Sequence, residues 1–168
     1  MDINTYQKMS KRTLNLSLSH GELQENINLG LIGEVGEVTD IIKKIQYHNH
    51  PLTSHSMELE KEIGDIYWYF CAYCTINNID VPSPCVSSEK VQKTSSYYKL
   101  VIDIYNTVYE LINYPSEEEE CLLILGNLLK TLILKLDLSL DVILENNISK
   151  LTKRYPEGFS SEHSLNRA

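Results

Sequence analysis

Between residues 19 and 47, apolar side chains return every three or four positions: Leu23, Ile27, Leu31, Val35, Val38, Ile42 and Ile45. That spacing lays one continuous stripe along an α-helix and scatters the same residues over both faces of a strand. Ser19-His-Gly-Glu22 is a capping-box match that starts the helix, and His48-Asn-His-Pro51 ends it. The same period returns in Leu59, Ile63, Ile66, Phe70 and Tyr73, on a helix beginning near Ser54 or Ser56 and stopping around Asn77-Asn78. Alternating runs are scarce and only 7 Gly and 5 Pro punctuate the chain, so the fold expected is all-α, a helical bundle.

A short helix is expected over residues 4–13. Residues 97–114 read as an amphipathic helix broken at Pro115. Glu117–Glu120 then make an acidic first turn, which suits the positive end of a helix dipole. From Cys121 to Leu136 the sequence is apolar almost all round, which predicts a helix buried in the bundle or at a subunit interface. Ser139 is read as the cap of a last helix, Leu140 to about Arg154, closed by Pro156-Glu-Gly158. The expected organisation is a single helical domain over 1–158, with a polar tail at 159–168 on the surface.

Composition removes several classes. The chain has 168 residues, 42% hydrophobic and 23% charged, an ordinary globular balance long enough for a real core. Net charge is −8, so the basic footprint of a nucleic-acid-polymer binder is missing, and an anion bound here would need metal ions. No run of 18 apolar residues exists, so no membrane span is expected. Met1-Asp2-Ile3-Asn4 lacks the order of a signal peptide, and the four cysteines (71, 74, 85 and 121) are expected as reduced thiols in a cytoplasmic setting. Cys71-Ala-Tyr-Cys74 falls inside a helical pattern, so buried apolar thiols are expected there, with no zinc or redox role.

Two acid pairs share one spacing. Glu34 and Glu37 are three apart on the second helix, Glu62 and Asp65 three apart on the third, each one position from the apolar stripe. Residues so spaced lie ~60° apart around a helix. If the stripes pack antiparallel, all four acids meet at the edge of the buried seam. Most glutamates simply coat solvated faces. Here, however, no Lys or Arg lies three or four residues from Glu34 or Glu37. Four converging carboxylates call for hard cations, Mg²⁺ with Mn²⁺ as a substitute. Glycines at 30, 33, 36 and 64 each cost roughly 1 kcal/mol in a helix, which suits backbone that approaches another helix or a ligand closely. Asn147, Lys150 and Arg154 fall at i, i+3 and i+7 on the last helix, a polar stripe able to grip an anion; Lys44 is a weaker candidate of that kind.

Taken in order, Gly30-Leu-Ile-Gly-Glu-Val-Gly-Glu-Val-Thr-Asp40, Glu60-Lys-Glu-Ile-Gly-Asp-Ile-Tyr-Trp-Tyr69 and Asn147-Ile-Ser-Lys-Leu-Thr-Lys-Arg-Tyr-Pro156 resemble the MazG-like, all-α nucleoside triphosphate pyrophosphohydrolases. The resemblance covers about half the chain. It implies Mg²⁺ held by Glu34, Glu37, Glu62 and Asp65, and cleavage of a nucleoside triphosphate to monophosphate and pyrophosphate. It assigns Glu34 or Glu37 the proton from water, Asn147, Lys150 and Arg154 the phosphates, and Tyr69 the base or sugar. Gly33 stands where many members carry a leading Glu, which resembles the dCTP-pyrophosphatase-like branch and implies a pyrimidine deoxynucleotide, dCTP or dUTP. Trp68, the only tryptophan, is expected in core packing, with a stacking role as the alternative.

Residues 85–137 depart from that pattern. They are expected to hold an extra helical hairpin (about 95–137), as a degenerate duplicate of the catalytic pair with Asn127 where Asp65 stands, or as a simple insertion. A homodimer or homotetramer is expected from the Leu-rich helix, in a bacterial or phage-infected cell. The alternatives are a non-catalytic interaction module of the same fold, or a pyrophosphohydrolase of another diphosphate-containing metabolite.

Overall fold

The computed structural model describes residues 1–84 and 96–165, and the described residues hold seven α-helices and no strand. They are α1 (Ile3–Ser10), α2 (His20–Tyr47), α3 (Leu52–Ile76), α4 (Tyr97–Asn113), α5 (Glu118–Lys135), α6 (Leu140–Arg154) and α7 (Ser161–Leu165). The fold is thus an all-α bundle. Single 3₁₀ turns follow α1, at Lys11–Thr13, and precede α5, at Pro115–Glu117.

α2 begins as its capping box dictates. Ser19 Oγ accepts from the Glu22 N–H at 3.3 Å, and Glu22 Oε2 accepts from the Ser19 N–H at 2.9 Å. The stripe Leu23, Ile27, Leu31, Val35, Val38 and Ile42 is buried, and α2 pairs with α3 along it as the principal hairpin. α3 starts at Leu52 behind Pro51, two to four residues earlier than its serines suggest. Proline is at home beside a helix start, where a missing N–H costs nothing. Ser139 adopts an extended cap backbone, but its hydroxyl makes no cap hydrogen bond.

α6 and α1 lie against α3, so α3 is the central helix, with eleven buried residues. Its Cys71 and Cys74 are free thiols inside the core; burial pushes Cys71 well up and Cys74 up to about 12, which keeps both protonated. Cys121 is likewise free and buried, whereas Cys85 lies outside the described residues.

α4 and α5 form the second hairpin, and α4 also packs on α2. Its connection back to α3 includes residues 85–95, outside those described. Leu122, Leu125, Leu129, Leu132 and Ile133 of α5 are sealed in the core, and Gly126 faces Phe70 of α3. The apolar surface that suggested a subunit interface is therefore largely used within the chain. Only Leu123 and Ile124, 42% and 40% exposed, remain outside on α5. The described part of the polar tail lies at the surface, with no buried residue after Phe159. Gly158, with φ +99°, turns the chain after α6, and α7 follows. No described helix is long and apolar enough to cross a membrane.

Candidate active site

α3 presents Glu62, Asp65, Trp68 and Tyr69 along one side; α2 brings Glu34 across the hairpin, and α6 brings Asn147, Lys150 and Arg154. Carboxylate oxygens of Glu34, Glu62 and Asp65 lie within 4.8 Å of one another, with Glu62 only 7% exposed. Three acids so close repel. Burial, then the charges of Asp65 and Glu62, push the Glu34 carboxyl up to about 7. Lys150 ion-pairs with Asp65 and Lys61 with Glu62 at 2.9 Å, so cations from two helices partly offset the charge.

Asp65 ends a chain of contacts that runs in from the core. Asn147 Nδ2 donates to Asp65 Oδ1 at 2.8 Å, and the Tyr6 hydroxyl donates to Asn147 Oδ1 at 2.7 Å. Tyr6 is fully buried and Asn147 4% exposed, so α1 braces α6, which braces the acid. Asn147, expected at the phosphates, has its amide committed to this bracing. Gly64 makes room for it: a Cβ there would stand 3.0 Å from Asn147 Nδ2 and 3.1 Å from its Cβ. Gly30 does the same for Tyr69, whose ring lies where a Cβ would be. Gly33, by contrast, has nothing within 4 Å. The close-approach argument thus holds at two of the glycines and fails at Gly33.

Glu37 is exposed and stands outside the group of three. Three residues beyond Glu34 it is turned ~60° and displaced ~4.5 Å along the axis. Lys44 is paired with Asp40 at 2.7 Å. Lys43 and Lys44 together hold the Asp40 carboxyl down to about 2. Lys44 also feels the charge of Glu37, but its hydrogen-bonded partner is Asp40.

Beside Glu34 and Asp65 opens a cavity of about 230 Å³, with Arg154, Trp68, Tyr69 and Asn26 among its lining residues. Trp68 is not simply core: its Nε1–H donates to Thr13 Oγ1 at 2.8 Å, and its ring meets Tyr69 edge-on at 4.8 Å. The tail closes another side. Phe159 and Ser164 line the cavity, Phe159 leans on Tyr155 with centroids 5.5 Å apart, and Arg12 donates to the carbonyls of Tyr155, at 3.3 Å, and Pro156. Asn147 and Lys150 also line a smaller depression of about 130 Å³ with Met57 and Lys61. Sequence reasoning missed Tyr6, Asn26 and Phe159. Each is ordinary in its local pattern, and only Tyr155 stood in a quoted motif.

The arrangement offers hard oxygen donors, flanking cations and an aromatic-walled cavity, the components needed to hold a metal-bound phosphate ester. Residues 22–96 match the family model of the MazG nucleotide pyrophosphohydrolase domain, a stretch that contains Glu34, Glu62, Asp65 and Tyr69 but stops before α6. No curated protein and no solved structure matches the chain. That match, with the all-α fold, supports a MazG-like assignment and indicates a hydrolase of nucleotide phosphoanhydride bonds.

Proposed function

We propose that this enzyme is a Mg²⁺-dependent nucleoside triphosphate pyrophosphohydrolase that releases pyrophosphate and a nucleoside monophosphate, with a pyrimidine deoxynucleotide, dCTP or dUTP, as substrate. The observation that carries the reading is the convergence of Glu34, Glu62 and Asp65. Their donor chemistry fits a divalent ion: all are carboxylates, burial and the charges of the other two drive Glu34 to about 7, and no soft ligand is in the group. A bound divalent ion there would neutralise phosphate charge and acidify a coordinated water.

The chain's own residues do the rest. Glu34, Glu62 and Asp65 hold the ion. Glu37, outside the group of three and one turn from Glu34, accepts the proton from the attacking water. Lys150, relieved of its pairing with Asp65, and Arg154 neutralise the charge that develops on the leaving pyrophosphate. Asn147 keeps Asp65 oriented instead of touching phosphate. Tyr69 and Trp68 form the wall for base and sugar. The pyrimidine preference rests on Gly33 and Tyr69 matching the dCTP-pyrophosphatase-like pattern. We also propose a cytoplasmic location, where its free thiols stay reduced, and a homodimer or homotetramer, with the exposed Leu29 and Ile32 of α2 as apolar surface for it.

The test is pyrophosphate release from the eight canonical nucleotides and dUTP, with and without Mg²⁺. Release confined to Mg²⁺ and strongest with dCTP or dUTP supports the proposal. Equal rates in EDTA, or full activity of Asp65→Asn, would refute the metal site; a purine preference would refute the substrate.

A further inference from the structure

At the α2–α3 turn the chain reads His48-Asn-His50-Pro-Leu-Thr-Ser-His55-Ser-Met-Glu58, and ring nitrogens of His50 and His55 meet. His50 Nδ1 and His55 Nε2 face each other at 2.9 Å, with the two rings stacked at 5.1 Å and 15°. His48 stands edge-on to His50 with centroids 6.3 Å apart. On the far side of His55, Nδ1 lies 2.8 Å from Glu58 Oε2. His48 lies 14 residues beyond Glu34 on α2, ~20 Å along the helix, and His55 seven residues before Glu62 on α3, ~10 Å.

The proton positions follow from the partners. An ionised carboxylate only accepts, so His55 Nδ1 carries the hydrogen donated to Glu58. That leaves a lone pair on His55 Nε2, aimed at His50 Nδ1, which must donate its own hydrogen. A carboxylate–histidine pair presenting a fixed lone pair is the arrangement that orients imidazole toward a metal. Two nitrogens bound tetrahedrally at ~2.0–2.1 Å stand ~3.3 Å apart. For an ion to replace the shared hydrogen, the pair at 2.9 Å has to open by a few tenths of an ångström and each ring has to tilt so that its lone pair meets the ion.

The backbone holds this geometry. The Lys44 carbonyl accepts from the N–H groups of both His48, at 3.0 Å, and His50, at 3.3 Å. Asn49 between them takes the left-handed conformation, φ 58°, which asparagine tolerates better than most residues. His55 is only 16% exposed in its side chain. The turn also sits at the C-terminal end of α2, where the helix dipole favours a cation.

We propose that His50 and His55, with His55 oriented by Glu58, form a second metal site, selective for an imidazole-preferring divalent transition ion such as Zn²⁺. Nitrogen donors suit such an ion and not Mg²⁺, so this site and the carboxylate cluster take different metals. Bound there, the ion staples the turn between the two helices that carry Glu34 and Glu62.

The experiment is Zn²⁺ titration of the full chain by calorimetry, with Mg²⁺ in excess to saturate the carboxylates. The expected result is one Zn²⁺ per chain and a raised melting temperature. His50→Gln and His55→Gln lose that binding, and Glu58→Gln weakens it about 10–100-fold. Glu34→Gln keeps it. The histidine variants melt like the wild type without zinc and keep their Mg²⁺-dependent pyrophosphate release. Zinc uptake unchanged in both histidine variants, uptake lost in Glu34→Gln, or none at all would overturn the proposal. These outcomes are independent of whether the nucleotide reading stands.

Discussion

Replacing Glu34 by Gln should make the metal-free protein more stable while depriving it of metal binding. The Glu34 carboxyl sits at about 7 in the folded chain against 4.5 when unperturbed. Below pH 4.5 both folded and unfolded chains hold the proton, and the side chain costs nothing. Between 4.5 and about 7 the unfolded chain gives up the proton first, so stability falls by about 1.4 kcal/mol per pH unit; above 7 the full penalty stands. The ceiling is about 3 kcal/mol. Glu34 is half-buried, and screening by solvent lowers the figure to about 1–2 kcal/mol. A neutral amide avoids the penalty. In EDTA at pH 8, Glu34→Gln should therefore melt about 2–8 °C above the wild type, and at pH 4 the two should coincide. With Mg²⁺ the order reverses: the wild type gains about 2.7 kcal/mol at a hundredfold excess over Kd, and the variant gains little. Calorimetric melts at pH 4 and pH 8, each with EDTA or Mg²⁺, read all four states. A variant less stable than the wild type in EDTA at pH 8, or one with the same gain at pH 4, would show that the acids do not strain one another.

The bracing chain predicts that Tyr6→Phe, which strands the Asn147 carbonyl in the core, costs about 1–3 kcal/mol in urea melts and lowers kcat more than it raises KM. Gly30→Ala drives a methyl into the Tyr69 ring, so despite its better helix propensity it should lose about 1–3 kcal/mol and raise KM for the nucleotide; unchanged values would mean that the ring moves aside freely. Leu129→Ala in α5, fully buried, should cost about 2–5 kcal/mol and shift one cooperative transition. Two separate transitions would show instead that the second hairpin folds as a unit of its own. Glu37→Gln should abolish pyrophosphate release yet keep Mg²⁺-dependent stabilisation, whereas Asp65→Asn should lose both.

Much of this protein could be read along the chain. The Ser19–Glu22 box, the α2 stripe and the helix ending at Asn77 needed only neighbours within about one turn, because propensity, caps and amphipathic periods are local. The i,i+3 acid pairs were visible for the same reason. Their convergence was not, since it depends on how two helices rotate against each other. Packing turned Glu34 inward with Glu62 and Asp65 and left Glu37 outside; it tied Lys44 to Asp40, and it gave Asn147 to Asp65 through Tyr6, 141 residues away in the chain. The described part of the tail lies on the surface as its polarity suggests, yet Phe159 and Ser164 also line the cavity, which no local pattern announced. Local order is written in short-range spacing, whereas a site is made by side chains whose only common property is where the packed helices carry them.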